Sequence, residues 1–450
     1  MTVHVIGAGL AGLSAALVLA RAGREVAVHE AAPQAGGRCR SYDDATLGCR
    51  IDNGNHLVVT GNGAVRRHLA RTGAQDALVA APEAAFPFAD LETGERWAID
   101  LGRGRTPFAL LRARGRPPGM SLADALGAVR LMLAEPRATV AEAIPGRGPA
   151  WHRFWVPMTL AVLNAAPERA QARLLWSALS RSFARGGAHC RPMFAPEGLG
   201  AALIEPALRR LEALGATVRI GRRLLALGTS GEARRATALT FTDGHIGLRP
   251  HDAVILAVPP SRLVGLMPAL DPPGDAATIL NAHFRLGPGA LDGAPPLLGV
   301  LGAHTHWIFT RGDVASVTIS GAQDSEMAAL PHDEVAGVLW GEVRRALDLG
   351  PAAPLASRVV KEKRATFDQS PGGVARRLPV RTHLGNVALA GDHVRTGLPA
   401  TIEGALRSGE MAAAAVMSRR PPASGPSGEP GPIPVRRTLP RRVRRAQKNA

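Results

Sequence analysis

The residues that could do chemistry begin with three glycines and one acid near the start of the chain. Gly7, Gly9 and Gly12 have the GxGxxG spacing, and Glu30 follows eighteen residues after Gly12. Gly7 permits a tight turn, Gly9 lets the backbone approach a pyrophosphate, and Gly12 lets a helix pack closely on a strand. Glu30 is placed to accept hydrogen bonds from a ribose diol, and its charge disfavours a 2′-phosphate. This spacing predicts a dinucleotide site.

The elements that must hold these residues are visible in the same stretch. An apolar run leads into Gly7, a helical pattern of leucine and alanine follows Gly12, and Gly23 ends it before a second apolar run reaches Glu30. The N-terminus of the predicted helix offers free N–H groups and the positive end of its dipole to phosphates. We therefore predict a β-α-β nucleotide-binding unit at the start of the chain.

Two further segments place glycine next to charged residues. Gly37 and Arg38 follow the nucleotide unit directly, and a close backbone approach beside a cation suits the far side of the same pyrophosphate. Near the other end, an apolar run predicts a strand that leads to Gly391 and Asp392. Pro399 then suits the first turn of a helix whose free N–H groups point at whatever lies beyond it.

These motifs resemble those of the superfamily that contains the FAD-dependent amine oxidases and phytoene desaturases. The segment Asp52-Asn-Gly-Asn-His56 resembles one branch of it, the squalene-associated desaturases, which are also described as hydroxysqualene dehydroxylases. That branch usually has Gln where this chain has Asn55. The segments 151–158 and 163–167 also resemble this branch, where they belong to a helical substrate cap. Without the family, the aromatic residues of 151–158 at helical spacing are predicted to be core.

The resemblance implies non-covalent FAD and a set of residues that bind it. In the family, the residue at Leu224 holds the adenine through its backbone, Asp392 binds the ribityl or phosphate portion, and the N–H groups after Pro399 face the N1/C2=O edge of the flavin. The complete set of predicted cofactor-binding residues is Gly7, Gly9, Gly12, Glu30, Gly37, Arg38, Leu224, Gly391, Asp392, Ala400, Thr401 and Ile402. No metal site is predicted.

The implied reaction is the reductive removal of the allylic hydroxyl of hydroxysqualene, a C30 isoprenoid, to give squalene for hopanoid or other isoprenoid synthesis. His56 is the candidate general acid, and Asp52 is the candidate residue that orients it. A structural histidine satisfied by backbone groups is the competing interpretation. Alternatives on the same scaffold are an oxidative carotenoid-type desaturase, a flavin amine oxidase and a non-enzymatic prenyl-binding module. Because the sequence holds a single dinucleotide fingerprint, an external electron donor is expected.

The predicted fold class is α/β, or α+β with two domains. A Rossmann-like FAD-binding domain is assigned to residues 1–60, 196–260 and 381–417. A discontinuous substrate domain, with a mixed sheet and a helical cap, is assigned to residues 61–195 and 261–380. Strands are predicted near 279–285, 297–301, 306–310 and 314–320, and helices at 63–72, 121–134, 167–184 and 332–347.

Charge and composition bound the partners and the location. The net charge is +17, but residues 418–450 hold nine basic residues against Glu429, so this Pro/Gly-rich tail, predicted to be disordered, carries much of it. Aromatic residues are only 4% of the chain, so nucleic acid is not an expected partner. An odd number of cysteines without a CxxC motif favours a reducing compartment.

The predicted location is the cytoplasm, with peripheral contact with the inner membrane. Met1 leads straight into the first predicted strand, and no run of about 18 apolar residues marks a membrane span. A loop that mixes arginine with apolar side chains is the predicted membrane contact. Its residues are Arg103, Arg105, Phe108, Leu110, Leu111, Arg112, Arg114 and Arg116.

Overall fold

The computed structural model describes residues 1–106, 115–231, 234–351 and 353–418. Residues 419–450 of the predicted tail, and the residues from Phe108 to Arg114 of the predicted membrane loop, lie outside these ranges. The strands are β1 (Thr2–Ile6), β2 (Glu25–His29), β3 (Ser41–Asp44), β4 (Cys49–Asp52), β5 (Val58–Val59), β6 (Val79–Ala80), β7 (Ala85–Asp90), β8 (Arg96–Asp100), β9 (Pro192–Phe194), β10 (Thr217–Arg219), β11 (Leu224–Ser230), β12 (Arg235–Phe241), β13 (Gly244–Gly247), β14 (Ala253–Leu256), β15 (Asp275–Arg285), β16 (Leu297–Leu301), β17 (Trp307–Arg311), β18 (Val314–Ile319), β19 (Ala356–Phe367) and β20 (Val387–Leu389).

The α-helices are α1 (Leu10–Arg21), α2 (Gly63–Thr72), α3 (Leu122–Ala125), α4 (Gly127–Leu133), α5 (Val140–Ala143), α6 (Val156–Leu163), α7 (Ala172–Leu179), α8 (Glu205–Ala213), α9 (Pro260–Leu266), α10 (His332–Ala346), α11 (Pro371–Ala375) and α12 (Ile402–Met417). None of these helices has the length and apolarity needed to cross a bilayer, a statement that covers the described ranges only.

A five-stranded parallel sheet carries the nucleotide unit. Its order is β10-β2-β1-β14-β20, so strands from the beginning, the middle and the end of the chain lie side by side. β1 and β14 are buried along their whole length, as expected for central strands of a parallel sheet covered on both faces. The predicted α/β class and the β-α-β unit at residues 2–29 are confirmed.

Helices α1 and α12 join the two ends of the chain on one face of this sheet. A β-carbon at Gly409 would lie 2.2 Å from the carbonyl oxygen of Ala11, so only glycine permits the observed approach. The hydroxyl of Ser14 also donates to the carbonyl oxygen of Leu406 at 2.9 Å. The closing helix is therefore locked directly onto the helix that begins at the glycine turn.

The second large sheet has seven strands in the order β19-β15-β18-β17-β16-β7-β8. Its pairs are antiparallel except for β16 and β7, so the predicted mixed sheet is confirmed. Strands β7 and β8 were not predicted, because Pro87 interrupts an otherwise alternating pattern that is only six residues long. Leu280 and Phe284 pack in the core beneath α10, which leaves the polar side chains of β15 for the opposite face.

We call the short helices α3 to α7 the cap; they pack over one end of the seven-stranded sheet. Trp151, Phe154, Trp155 and Met158 are buried together, which confirms their prediction as core. The helix predicted over 167–184 is α-helical only in α7. Its N-terminal part is a turn closed by hydrogen bonds from the N–H groups of Arg169 and Ala170 to the carbonyl oxygen of Ala166, and the Gln171 N–H then donates to the carbonyl oxygen of Gln369 at 3.0 Å.

Candidate active site

The glycine turn is built by two close contacts and one open position. Gly7 has φ +109°, and a β-carbon there would lie 2.4 Å from the carbonyl oxygen of Ala257. A β-carbon at Gly12 would lie 1.9 Å from the carbonyl oxygen of Gly7. At Gly9 no protein atom lies within 4 Å of the β-carbon position. Gly7 and Gly12 thus shape the turn, and Gly9 exposes its backbone to a ligand.

Glu30 holds this turn from the end of β2. Its carboxylate accepts hydrogen bonds from the backbone N–H of Ala8 at 2.7 Å and of Ala32 at 2.8 Å. A carboxylate has about four acceptor positions, so two backbone bonds leave capacity for ribose hydroxyls. Glu30 therefore has a structural role, which the sequence did not indicate, in addition to the one predicted for it.

The second glycine turn lies beside the first. The Gly36 N–H donates to the carbonyl oxygen of Ala8 at 2.9 Å, and the β-carbon position of Gly37 is 3.4 Å from the α-carbon of Gly9. Gly37 has φ +55°, which places Arg38 at the centre of a short 3₁₀ turn. The two predicted phosphate-side turns are therefore brought together in space.

Arg38 links this turn to the far end of the chain. Its guanidinium donates to the Asp392 carboxylate at 2.8 Å and to the carbonyl oxygen of Ala365 at 2.6 Å. Burial alone would raise the pKa of Asp392, but Arg38 and His393 hold it well below its usual range. The Arg38 side chain is 42% exposed although segments of both sheets surround it, so its open side faces an interior space.

The closing segment differs in detail from its prediction. Helix α12 begins at Ile402 and is capped by the Thr401 hydroxyl, which accepts from the Gly404 N–H at 3.1 Å, so Pro399 precedes the first turn. The Ala400 N–H donates to Gln369 Oε1 at 2.9 Å. Within the described ranges, the N–H groups of Thr401 and Ile402 have no acceptor. Two of the three predicted donors are therefore open to a ligand.

Two residues that the sequence did not single out position this segment. Arg377 is buried and donates to the carbonyl oxygens of Leu398 and Asp392, each at 2.7 Å, and to that of Val394. Gln369 donates to the carbonyl oxygen of Leu163, at the end of α6, at 2.6 Å. Because Gln369 also accepts from Ala400, it ties the cap to the start of α12.

Asp52 does not orient His56. Its carboxylate accepts from the Leu199 N–H at 2.9 Å, from Arg311 Nη1 at 2.6 Å and from the Ser41 hydroxyl. No hydrogen bond joins it to His56 in the parts of the chain that the structure describes. Asp52 instead anchors the β3–β4 hairpin to strand β17 and to the turn before α8, so its assignment as an orienting residue is wrong.

His56 lies among charged groups of the site. Burial and the positive charge of Arg38 lower the pKa of His56 to about 4, while Asp52 acts in the opposite direction. The ring is therefore neutral near pH 7. Within the described ranges it makes no hydrogen bond to the protein, so it is not the backbone-satisfied structural histidine of the competing interpretation.

The loop that carries His56 rests on the polar face of the seven-stranded sheet. Asn55 donates to the hydroxyl of Thr318 at 3.0 Å, and Thr318 donates to Asn281 Oδ1 at 2.9 Å. Asn53 Nδ2 lies 3.3 Å from the carboxylate of Glu362. Glu362 is half-buried. The negative charges of Asp392 and Glu362 both raise the pKa of Arg38. Glu362 is thus a second ionisable candidate that no motif indicated.

Leu224 lies at the first position of β11, opposite Phe241 of β12. Its side chain is buried, and its carbonyl oxygen accepts a 3.4 Å hydrogen bond from Arg262. A contact with adenine at this position would have to use backbone atoms, in agreement with the role that the resemblance implies.

The comparison with known families decides the assignment. The sequence model of the family described as flavin containing amine oxidoreductase matches residues 10–417. This chain belongs to that family. As a flavin amine oxidoreductase family member, it is an FAD-dependent oxidoreductase.

Full-length relatives of this family member carry a narrower name. A Sinorhizobium fredii protein named hydroxysqualene dehydroxylase is 42% identical over 416 residues, which is 92% of this chain and 98% of that protein. One of the same name from Rhodopseudomonas palustris is 42% identical over 418 residues, 93% of this chain and 98% of that protein. A putrescine oxidase structure bound to putrescine shares the fold, with a TM-score of 0.66 at 16% identity, over 93% of this chain and 100% of that one.

The residues of this flavin amine oxidoreductase fit the cofactor. Within the described ranges, the N–H groups of Gly9, Thr401 and Ile402 make no hydrogen bond to a protein acceptor. Arg38 presents a cation to the same interior space, and Glu30 presents carboxylate oxygens. Gly9 and Arg38 suit the diphosphate, Glu30 suits the ribose, and the N–H groups of Thr401 and Ile402 suit the flavin edge of FAD.

Proposed function

We propose that this enzyme removes the allylic hydroxyl group of hydroxysqualene reductively and releases squalene. The observation that carries the proposal is its full-length similarity to proteins named hydroxysqualene dehydroxylase. In this reaction a C–O bond breaks and a C–H bond forms at the same carbon, and the hydroxyl leaves with one proton as water. Two electrons and the hydrogen of the new bond come from reduced flavin.

Bound FAD in its reduced form supplies the hydride chemistry, so the chain itself must hold the alcohol, exclude water and provide a proton. We propose that the cofactor is held without a covalent bond. Cys39 is the cysteine next to Arg38, and burial raises the pKa of its thiol to about 12. A thiol that stays protonated is a poor nucleophile toward a flavin ring.

We propose that the electrons arrive from an external donor and that the protein makes peripheral contact with the membrane that holds its substrate. The sequence contains a single dinucleotide-binding motif, which is assigned to FAD, so no second motif of this kind is left for a nicotinamide cofactor. A C30 isoprenoid is nearly insoluble in water and collects in lipid. The donor must therefore diffuse to the flavin, while the substrate reaches it from a bilayer.

His56 remains the proposed proton donor to the leaving hydroxyl. It lies beside Arg38 and has no protein partner in the described residues, which leaves its ring nitrogens free for substrate. With a pKa near 4, only a small fraction of the ring is charged at pH 7, so proton donation should strengthen as the pH falls toward that value. Glu362 is the alternative donor at the same site.

Replacing His56 with Gln is expected to slow the single-turnover rate of the reduced enzyme by about a hundredfold or more, because general acid catalysis contributes at that level. The wild-type rate should rise between pH 7 and pH 5, and this rise should be absent in His56→Gln. Both rates are measured by flavin reoxidation in rapid mixing, with FAD content confirming that the cofactor is still bound. If His56→Gln keeps the full rate and Glu362→Gln loses it, Glu362 takes the role instead.

An amine oxidase function is disfavoured by the lysines. Lys361 donates to the carbonyl oxygens of Ala328 and Leu330, on the face of β19 that is turned toward α10 and away from Glu362. Lys363 is exposed, and Lys448 lies outside the described residues. Within the described part of the chain, no hydrogen bond or ion pair joins Lys361 or Lys363 to the residues predicted to bind the cofactor.

The direction of hydride transfer separates the proposed reaction from oxidative desaturation. Photoreduced enzyme is mixed anaerobically with hydroxysqualene, and oxidised enzyme is mixed separately with squalene or phytoene, with products identified by mass. We expect flavin reoxidation and squalene formation in the first mixture alone. A desaturated product in the second mixture, without reaction in the first, would overturn the proposal in favour of a desaturase.

A further inference from the structure

Helices α3 and α4 carry a stripe of apolar side chains on their solvent side. Of the thirteen large apolar side chains that are exposed in the described residues, five lie within these two helices and the residue between them. They are between 42% and 68% exposed, and we call them the outer stripe: Leu122, Leu126, Val129, Met132 and Leu133. Single exposed apolar residues are ordinary, but a cluster of this kind marks an interaction surface.

The spacing of the outer stripe is that of one helical face. Leu126 keeps helical backbone angles, φ −69° and ψ −9°, so α3 and α4 continue each other with little interruption. Leu122 lies four residues before Leu126, and Val129 and Leu133 lie three and seven residues after it, which places all of them on one face of a helix. A capping box between Ser121 and Asp124 secures the start of α3. The stripe is therefore a continuous ridge on a well-formed helical segment.

The outer stripe is not a piece of core left unpacked, because the opposite side of the same segment is already buried. Leu131 is fully buried, and a β-carbon at Gly127 would lie 2.8 Å from the ring of Trp155. These contacts place the inner side of α4 against the cap cluster of Trp151, Phe154 and Trp155. The segment thus has two apolar faces, of which the described residues cover one.

The charges around the outer stripe are mostly positive. Arg130 is exposed between Leu126 and Leu133, and Arg137 is exposed just beyond α4. Arg173 donates to the carbonyl oxygen of Ala134, which places a third cation at this end. Against these three cations stand two carboxylates, those of the exposed Glu135 and of Asp124, which accepts hydrogen bonds from Ser121.

Arginines that flank an aliphatic ridge match a bilayer with anionic headgroups, into which the ridge inserts while the cations bind phosphate. A second copy of this chain fits less well. Pairing two outer stripes in the same direction would bring Arg130, Arg137 and Arg173 of both copies close together, and like charges oppose that contact.

We propose that the outer stripe docks this enzyme on an anionic lipid bilayer. This inference rests on the proposed function, because docking on a bilayer serves an enzyme whose substrate is a lipid-soluble C30 isoprenoid. The stripe lies on the outside of the cap, and the cap is tied through Gln369 to the start of α12. Docking by the stripe therefore brings the bilayer to the cap, which is linked through Gln369 to the closing segment of the candidate site. The outer stripe consists of other residues than the loop 103–116, which the sequence analysis predicted as the membrane contact.

The test is binding of the full-length holoenzyme to phosphatidylcholine vesicles with and without phosphatidylglycerol, in low-salt and high-salt buffer. Any attraction of the basic tail to anionic vesicles would rest on charge and would be screened by salt, whereas the insertion of apolar side chains is not screened. We expect wild-type binding to anionic vesicles to persist in part at high salt. The double variant Leu126→Ser/Leu133→Ser should lose this salt-resistant binding by about tenfold or more.

The matched control is Val338→Ser/Leu355→Ser, which removes two exposed apolar side chains elsewhere on the surface and should bind as the wild type does. Activity on detergent-dispersed hydroxysqualene should be equal in all three proteins. This assay tests the proposed reaction alone, whereas vesicle binding tests the docking alone. Unchanged vesicle binding in the stripe variant would overturn the proposal. A change from dimer to monomer in that variant, without an effect on vesicle binding, would assign the stripe to a second copy and overturn it as well.

Discussion

Replacing Gly9 with Ala is expected to leave the protein folded while weakening FAD binding roughly tenfold to a hundredfold, the effect of losing a charge-assisted hydrogen bond to the diphosphate. Gly9 has ordinary backbone angles, φ −76° and ψ 175°, and no protein atom within 4 Å of the new β-carbon. The added methyl group therefore strains nothing in the apoprotein. It occupies the position from which the backbone approaches the ligand.

The measurement is flavin absorbance of the purified variant, followed by FAD titration of the apoprotein and by urea unfolding without FAD. Gly337→Ala is the matched control, since Gly337 is exposed in α10 with open space around it and should only gain helix propensity. Gly12→Ala is the contrasting variant, because its methyl group would collide with the Gly7 carbonyl and destabilise the apoprotein too. Normal FAD affinity in Gly9→Ala would contradict the cofactor assignment of this turn.

Replacing Arg377 with Leu is expected to lower the free energy of unfolding by about 3–5 kcal/mol, as the loss of one partner from a buried charged network usually does. Arg377 is 2% exposed, and burial lowers its pKa to about 10, so it remains charged at neutral pH. Its guanidinium satisfies the carbonyl oxygens of Asp392, Val394 and Leu398. Without it the carbonyl oxygen of Asp392 loses its donor in the described residues, while those of Val394 and Leu398 keep only their bonds from Thr396, at 2.7 and 3.5 Å.

Arg376→Leu is the control for Arg377→Leu. Arg376 is about half exposed, and its nearest carboxylates, those of Asp271 and Asp368, are 3.8 and 3.9 Å away. Its loss should change the unfolding free energy by only about 0.5 kcal/mol. Both variants are compared by urea unfolding and by FAD titration, because Arg377 shapes the loop that holds Asp392. Equal stability of the two variants would show that the hydrogen bonds of Arg377 add nothing.

Residues of the cofactor site were predictable where a local motif carries them. Gly7, Gly9, Gly12 and Glu30 lie within one β-α-β unit, so their spacing along the chain fixes their relation in space. Arg38 and Asp392 were found separately, from two local patterns, and their direct ion pair could not be foreseen. The two residues are 354 positions apart, and spacing along the chain says nothing about such a contact.

The residues around the proposed reaction were predicted less well. Asp52 and His56 are close in sequence, but Asp52 is at the end of a strand and accepts a hydrogen bond from Arg311, 259 positions away. Glu362, Gln369 and Arg377 belong to no motif, and they reach the site only because β19 and the segment after it run beside the closing loop. Side chains with several competing partners are assigned by packing, which a local pattern does not contain.

The sequence by itself determined the nucleotide unit, the α/β class and the closing Gly391-Asp392 strand, because each depends on local turn chemistry and on strand and helix periodicity. Only the tertiary structure decided that Asp52 is structural, that Ala400 is bonded to Gln369, and that a helix of the cap turns an apolar face to solvent. The physical reason is the same in each case. A glycine turn depends on its own backbone angles, whereas the partner of a carboxylate and the exposure of a leucine depend on which distant segments pack against them.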